Sequence, residues 1–169
     1  NITGSGLYRD VFLMETATGT VERLTENYEV SESGLSFSPD SRWIAYTKVE
    51  DSLNDSIFLY EVESGRRVRV TGRETRDWSP SFSRDGAYLY FLSDRTLNPI
   101  MGRLDQNHVF LDLTRPYVAL LQAGQLSPFA GGPAGGGGDP ASEKGEDAEP
   151  MTTVDAAHLE DRVLLVEGV

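Results

Sequence analysis

Gly34-Leu35-Ser36-Phe37-Ser38-Pro39-Asp40-Ser41-Arg42-Trp43-Ile44-Ala45-Tyr46 returns 45 positions later as Pro80-Ser81-Phe82-Ser83-Arg84-Asp85-Gly86-Ala87-Tyr88-Leu89-Tyr90-Phe91, with Phe82 in the place of Phe37. Short alternating strands and turn residues that recur every 40 to 50 residues or about that mark radially repeated antiparallel sheets, the blades of a β-propeller. Both copies carry an aspartate in the turn. Pro39 presets φ for a β-turn and Asp40 can accept hydrogen bonds from nearby backbone N–H groups, while in the second copy Arg84 replaces the proline and Asp85-Gly86 keeps the turn.

The repeat extends on both sides. Val11-Phe12-Leu13-Met14-Glu15-Thr16-Ala17-Thr18-Gly19 corresponds to Ile57-Phe58-Leu59-Tyr60-Glu61-Val62-Glu63-Ser64-Gly65 at an offset of 46. Each is followed by a second β-rich run, Val21-Glu22-Arg23-Leu24-Thr25 and Val68-Arg69-Val70-Thr71. Four strands per unit is what a propeller blade requires. Leu35 and Phe37 share one strand face, Ile44 and Tyr46 one face of the next, and Leu89 and Phe91 one face of its counterpart, so these faces are expected to pack between blades. Trp43, Trp78, Tyr60, Tyr88 and Tyr90 are read as packing between sheets rather than as a binding site, because aromatic side chains in strands serve that purpose.

The expected fold class is all-β, a propeller of four-stranded antiparallel blades present as an incomplete arc of about three blades. A ring of at least four blades needs more ordered sequence than these 169 residues hold. An open arc leaves bare sheet faces, and the chain is therefore read as a segment of a longer protein. Residues 1–130 are assigned to propeller blades, 131–150 to a flexible insertion and 151–169 to the start of the next blade. The insertion runs Gly131-Gly132-Pro133-Ala134-Gly135-Gly136-Gly137-Gly138 and then Glu143-Lys144-Gly145-Glu146-Asp147-Ala148-Glu149-Pro150, a composition in which nothing apolar offsets the entropy of ordering. These glycines make no phosphate cradle, since such loops join a strand to a helix and carry Lys with Ser or Thr at fixed spacing. Further on, Leu159-Glu160-Asp161-Arg162-Val163-Leu164-Leu165-Val166 reads as a turn and a buried strand.

Charge and composition narrow the function. Fifteen basic residues are scattered among twenty-seven acidic ones, a formal net charge of −12, which argues against a nucleic-acid surface. There is no cysteine, hence no disulfide framework, thiolate nucleophile or thiolate metal site. No long apolar run predicts a membrane span. The histidines are His108, in a long connection between Ser93-Asp94-Arg95 and Pro116-Tyr117-Val118, and His158. Neither has an identifiable nucleophile or acid–base partner in the sequence, so no catalytic, cofactor-binding or metal-ligating residue is assigned and no cofactor is expected. Asp94 is expected to cap a turn, with Arg95 as its ion-pair partner.

The runs Glu15 to Thr25 and Gly34 to Ser56, the segment Asp77-Trp78-Ser79-Pro80-Ser81-Phe82, and Leu89-Tyr90-Phe91-Leu92-Ser93-Asp94-Arg95 with Asn98-Pro99 resemble the propeller of tricorn proteases. So do Thr114-Arg115-Pro116-Tyr117, Ser127-Pro128-Phe129-Ala130 and Leu159-Glu160-Asp161-Arg162-Val163. The resemblance implies a stretch of the second, seven-bladed propeller of a serine peptidase whose catalytic Ser and His lie in domains outside this chain. It implies a non-catalytic role, channelling or filtering peptides towards that centre. The implied partners are peptides, the remaining blades and the catalytic domains, with a homo-oligomeric parent, a cytoplasmic location and neither nucleic acid nor membrane. Alternatives are a protein-binding scaffold like the Tol-system propeller, periplasmic in that case, or the propeller lid of a prolyl-oligopeptidase-type hydrolase. The lid reading calls for a Gly-x-Ser-x-Gly elbow, and none occurs here. Limited proteolysis of the purified chain is expected to cut first within 131–150, read by mass spectrometry of the earliest fragments; protection there would mean that the stretch folds onto a partner surface.

Overall fold

The computed structural model describes residues 10–25, 34–96, 99–101, 108–110, 114–129 and 150–166. The expected insertion at 131–150 therefore lies, but for Pro150, outside the described residues. Twelve strands are described: β1 Phe12–Met14, β2 Val21–Arg23, β3 Leu35–Phe37, β4 Trp43–Val49, β5 Asp55–Glu61, β6 Arg67–Arg69, β7 Asp77–Phe82, β8 Tyr88–Ser93, β9 Pro99–Met101, β10 His108–Phe110, β11 Arg115–Leu120 and β12 Val163–Leu165. A 3-10 turn at Leu159–Arg162 precedes the last of them.

All the pairing is antiparallel, and it builds two four-stranded sheets, β3-β4-β5-β6 and β7-β8-β11-β12, together with the two-stranded sheets β1-β2 and β9-β10. Each four-stranded sheet is a full blade. The β1-β2 hairpin is the outer half of another, because its closing bonds recur strand for strand in the first full blade. Leu24 N donates to Val11 O at 2.8 Å as Val70 N donates to Ile57 O at 2.9 Å. Val11 N donates to Thr25 Oγ1 at 2.9 Å as Ile57 N donates to Thr71 Oγ1 at 3.0 Å. Gly19 N and Gly65 N close the equivalent turns on Glu15 O and Glu61 O. The described arc is thus two blades and the outer half of a third, unclosed.

The strands form because apolar residues alternate with a period of two on both faces, and the faces then bury one another. On one side of the first full blade, Ile44, Tyr46 and Tyr60 pack with Val11 and Leu24 of the half-blade. On the other side, Trp43, Ala45, Ile57, Leu59, Val68 and Val70 pack against Leu89, Phe91, Tyr117, Ala119 and Leu121 of the second full blade. The arrangement is cyclic: Trp43 and its counterpart Tyr88 both look forward along the arc, and Ile44 and its counterpart Leu89 both look back. The same stacked aromatic pair recurs on the backward faces, Tyr46 with Phe58 at 5.9 Å and Phe91 with Tyr117 at 6.1 Å between ring centroids.

The assignment of residues 151–169 to the start of another blade is corrected by the pairing. Tyr117, Val118 and Ala119 of β11 pair with Leu165, Leu164 and Val163, so β12 closes the blade begun by β7. Val166 N donates to Pro116 O at 3.0 Å, the same closing bond as Val70 to Ile57. The long stretch between β11 and β12 replaces the tight Gly65 turn of the preceding blade, and this length hides the strand's true partner from a local reading. Leu89 is wholly buried between the two full blades. Leu89→Ala is expected to lower unfolding stability by about 2 to 5 kcal/mol, measured by urea denaturation, since neither blade can collapse into the cavity without disturbing the other.

Candidate functional site: inner strand edges and rim

Meandering sheets put the β3–β4, β7–β8 and β5–β6 turns at one end of the arc, and the first and innermost strands, β3 and β7, at its centre. These two strands approach closely. A Cβ on Gly34 would stand 3.3 Å from Ser79 Cα, and Phe82 N donates to Ser36 Oγ at 3.3 Å. The edge of β7 is irregular: its register with β8 shifts between Trp78 and Ser81, Ser79 has φ 59°, and Pro80 interrupts the donors. A bulge and a proline on an edge strand blunt it against pairing with another chain. Ser79 and Ser81 are exposed, so the hub side of the second blade is lined by small hydroxyls.

The rim is built by the duplicated turns. Ser38 Oγ donates to Asp40 Oδ1 at 2.5 Å and accepts from Trp43 N at 2.9 Å; Ser83 Oγ donates to Asp85 Oδ1 at 2.6 Å and accepts from Tyr88 N at 2.9 Å. Burial pushes the Asp40 carboxyl up, but hydrogen bonds from Ser38 Oγ, Thr152 N and Arg42 N, with the Arg42 charge, outweigh it and hold the group below its ordinary value.

At the opposite end, Asp94 Oδ1 accepts from Thr114 Oγ1 at 2.7 Å, and Arg95 does not pair with Asp94 as expected. Its guanidinium instead reaches back to the fully buried Asp77, Nη2 to Oδ1 at 2.9 Å, and lies 4.8 Å from the Tyr117 ring centroid. In the first full blade Arg69 does the same over Phe58, at 4.5 Å, held by Glu50 at 2.6 Å. The two blades share the cation-capped aromatic stack but draw the arginine from different places, the last residue of β6 in one and the connection after β8 in the other.

Of the residues singled out by sequence, Trp43, Tyr60 and Tyr88 are buried as packing groups, and Trp78 lies half-buried beneath Arg76. His108 falls in β10, and His158 is an exposed left-handed residue whose Nδ1 lies 3.5 Å from Asp161 Oδ2. A groove of about 450 Å³ between β6 and the 3-10 turn has Arg66, Arg67 and Arg69 on one wall and His158, Glu160 and Asp161 on the other, so its charges largely answer one another. Among the described residues no three His, Cys, Asp or Glu side chains gather to hold a metal, and no helix is long and apolar enough to cross a membrane. Sequence reasoning missed Asp77, Thr25 and Thr71. The two threonines ended equivalent runs and were legible as a pair; Asp77 carried no repeat signal.

These antiparallel sheets, stacked face to face with a repeated turn chemistry, define an open arc of a β-propeller. Residues 7–167 match the sequence profile of the tricorn protease second beta propeller domain, and the chain belongs to that family. It is 33% identical over 142 residues to the tricorn protease of Thermoplasma volcanium, covering 80% of this chain and 13% of that protein. Against tricorn protease homolog 1 of Streptomyces coelicolor it is 32% identical over 159 residues, covering 91% and 15%. The chain thus spans about one seventh of the length of those relatives. A crystal structure of the tricorn protease superposes with a TM-score of 0.73 at 22% identity, over 94% of this chain and 15% of that one, in agreement on the fold.

Tyr60, on the face towards the half-blade, has its hydroxyl pushed up to about 12 by burial and by its hydrogen bond to Glu22 of β2. A raised tyrosine stabilises the fold fully below its unfolded value near 10, and that contribution is lost as pH rises through the folded value. Stability is therefore expected to fall between pH values of about 10 and 12, and Tyr60→Phe to flatten that part of the profile, followed by denaturation at a series of alkaline pH values.

Proposed function

We propose that this chain is part of the wall of a peptide-conducting propeller in a tricorn-type serine peptidase, with bond cleavage carried out by residues outside these 169. The observation that carries the reading is the match of residues 7–167 to the second propeller of the tricorn protease. Two features of the arc support it. Phe12, Met14, Leu35 and Phe37 are each more than half exposed on sheet faces of the kind that further blades would cover. The hub edge of β7, blunted by its bulge and by Pro80, presents Ser79 and Ser81, small groups that let an extended peptide pass without adding to the sheet as a strand. The ligands proposed are short peptides, the partners the remaining blades and catalytic domains of a homo-oligomeric parent, and the compartment the cytoplasm.

The purified 169-residue chain is expected to show no turnover of fluorogenic peptides, whereas the parent-length protein cleaves them and loses activity to a serine-directed reagent. In the parent-length protein, Ser79→Trp is expected to reduce kcat/KM for longer peptides more than for the shortest ones. Serine-inhibitor-sensitive cleavage by the 169-residue chain would overturn the non-catalytic assignment. An unchanged length preference in Ser79→Trp would overturn the channel.

A further inference from the structure

The two Ser-x-Asp turns are near copies, yet one of them does something the other does not. Asp40 Oδ1 builds its own turn, accepting from Ser38 Oγ at 2.5 Å and Arg42 N at 3.2 Å; Asp85 Oδ1 builds the equivalent turn from Ser83 Oγ at 2.6 Å and Ala87 N at 3.0 Å. The second oxygen of Asp40 is committed elsewhere. It accepts the backbone N–H of Thr152 at 2.8 Å, across 112 positions of sequence, from the stretch that leads back towards β12.

That stretch enters alternately. Thr152 and Val154 are buried, at 2% and 8% exposure, while Met151 and Thr153 face outward. Val154 joins the apolar layer between the two full blades, and Asp155 N donates to Leu121 O at 2.9 Å. On its other side Thr152 meets the second turn: a Cβ on Gly86 would fall far inside van der Waals contact with Thr152 Oγ1, and it would lie 3.5 Å from Pro39 Cδ.

Gly86 invites an explanation from backbone conformation alone, since its φ is 72°. The first turn argues against that as the whole reason. Ser41 holds the equivalent place with φ 59°, so a residue with a Cβ can adopt this geometry in this turn. What differs at Gly86 is the occupant of the space beside it. Thr152 Oγ1 has no hydrogen-bond partner, so its hydroxyl is not what draws Thr152 into the gap; the backbone bond to Asp40 and the burial of Val154 are.

We propose that Pro150–Val154 is an inter-blade strap, held on the first full blade by Asp40 and admitted by the second through the missing side chain of Gly86. Asp40 is in this sense a positioning residue for the return of the chain to β12, and the asymmetry of the two turns, Ser41 against Gly86, is the mark the strap leaves on the repeat. The strap gives the two blades a polar tie at the rim in addition to their shared apolar layer.

Site-resolved hydrogen exchange on the full 169-residue chain tests this. In Asp40→Asn the amide oxygen can keep the Ser38 and Arg42 bonds while the amide nitrogen faces the Thr152 N–H, donor against donor. In Gly86→Ser the residue copies Ser41 but fills the gap. Exchange at the Thr152 amide is expected to rise about ten-fold or more in both variants, while the Trp43 and Tyr88 amides, held by the turn serines, keep their protection. Asp85→Asn, which alters the equivalent turn without touching the strap, is expected to leave Thr152 unchanged. Unaltered Thr152 exchange in either Asp40→Asn or Gly86→Ser, or an equal rise in Asp85→Asn, would overturn the strap. Should one of the first two variants fail to fold, the other compared with Asp85→Asn decides it.

Discussion

A sheet with apolar side chains on both faces cannot leave either face to water, and here the solution is the layer shared between consecutive sheets. Trp43, Ile57, Leu59 and Val70 meet Leu89, Phe91, Ala119 and Leu121 in one such layer, and Ile44, Tyr46 and Tyr60 meet Val11 and Leu24 in the other. At about 25 cal/mol per Å² of apolar surface removed from water, face-to-face burial outweighs any single polar contact in the arc. Every other feature presupposes it. The turns need only keep each meander in register, and the polar ties need only fix how one blade's rim sits against the next.

Those secondary tasks fall to hydroxyl groups more than to charges. Thr25 and Thr71 take the N–H of Val11 and Ile57, equivalent residues near the start of the third strand of their blades, and Ser38 and Ser83 cap the start of the second, in each case from a buried or half-buried position where an unpaired backbone donor would be costly. A serine or threonine closes such a turn without the desolvation penalty of an ion, and each device occurs twice among the described residues. Ion pairs add to this where the carboxylate is buried, as in Arg95 with Asp77 and Arg69 with Glu50, and in both the arginine also covers its blade's aromatic stack.

Membership of the tricorn protease second-propeller family agrees with the repeated four-stranded architecture. Several side chains with chemical capacity serve that architecture: Asp40 and Asp85 in turns, Arg69 and Arg95 over aromatic rings, Tyr60 between blades.

The sequence by itself determined most of the strands, their order of four and the turns between them, because alternation, Gly placement and the Ser-x-Asp capture all act within a few residues; β9 and β10, in the connection read as lacking alternation, are the strands it did not reveal. The repeat offsets of 45 and 46 even matched positions that prove to be hydrogen-bonded alike, down to Thr25 with Thr71. Only the tertiary structure decided that Val163–Leu165 closes the second full blade, that Arg95 reaches Asp77 instead of its neighbour Asp94, and that Thr152 lies between the two rim turns. Each of these is a contact between segments 18 to 112 positions apart, or a strand joined to its partner across a long connection. Such contacts depend on how the sheets stand against one another, and no pattern confined to a single strand and its turn carries that information.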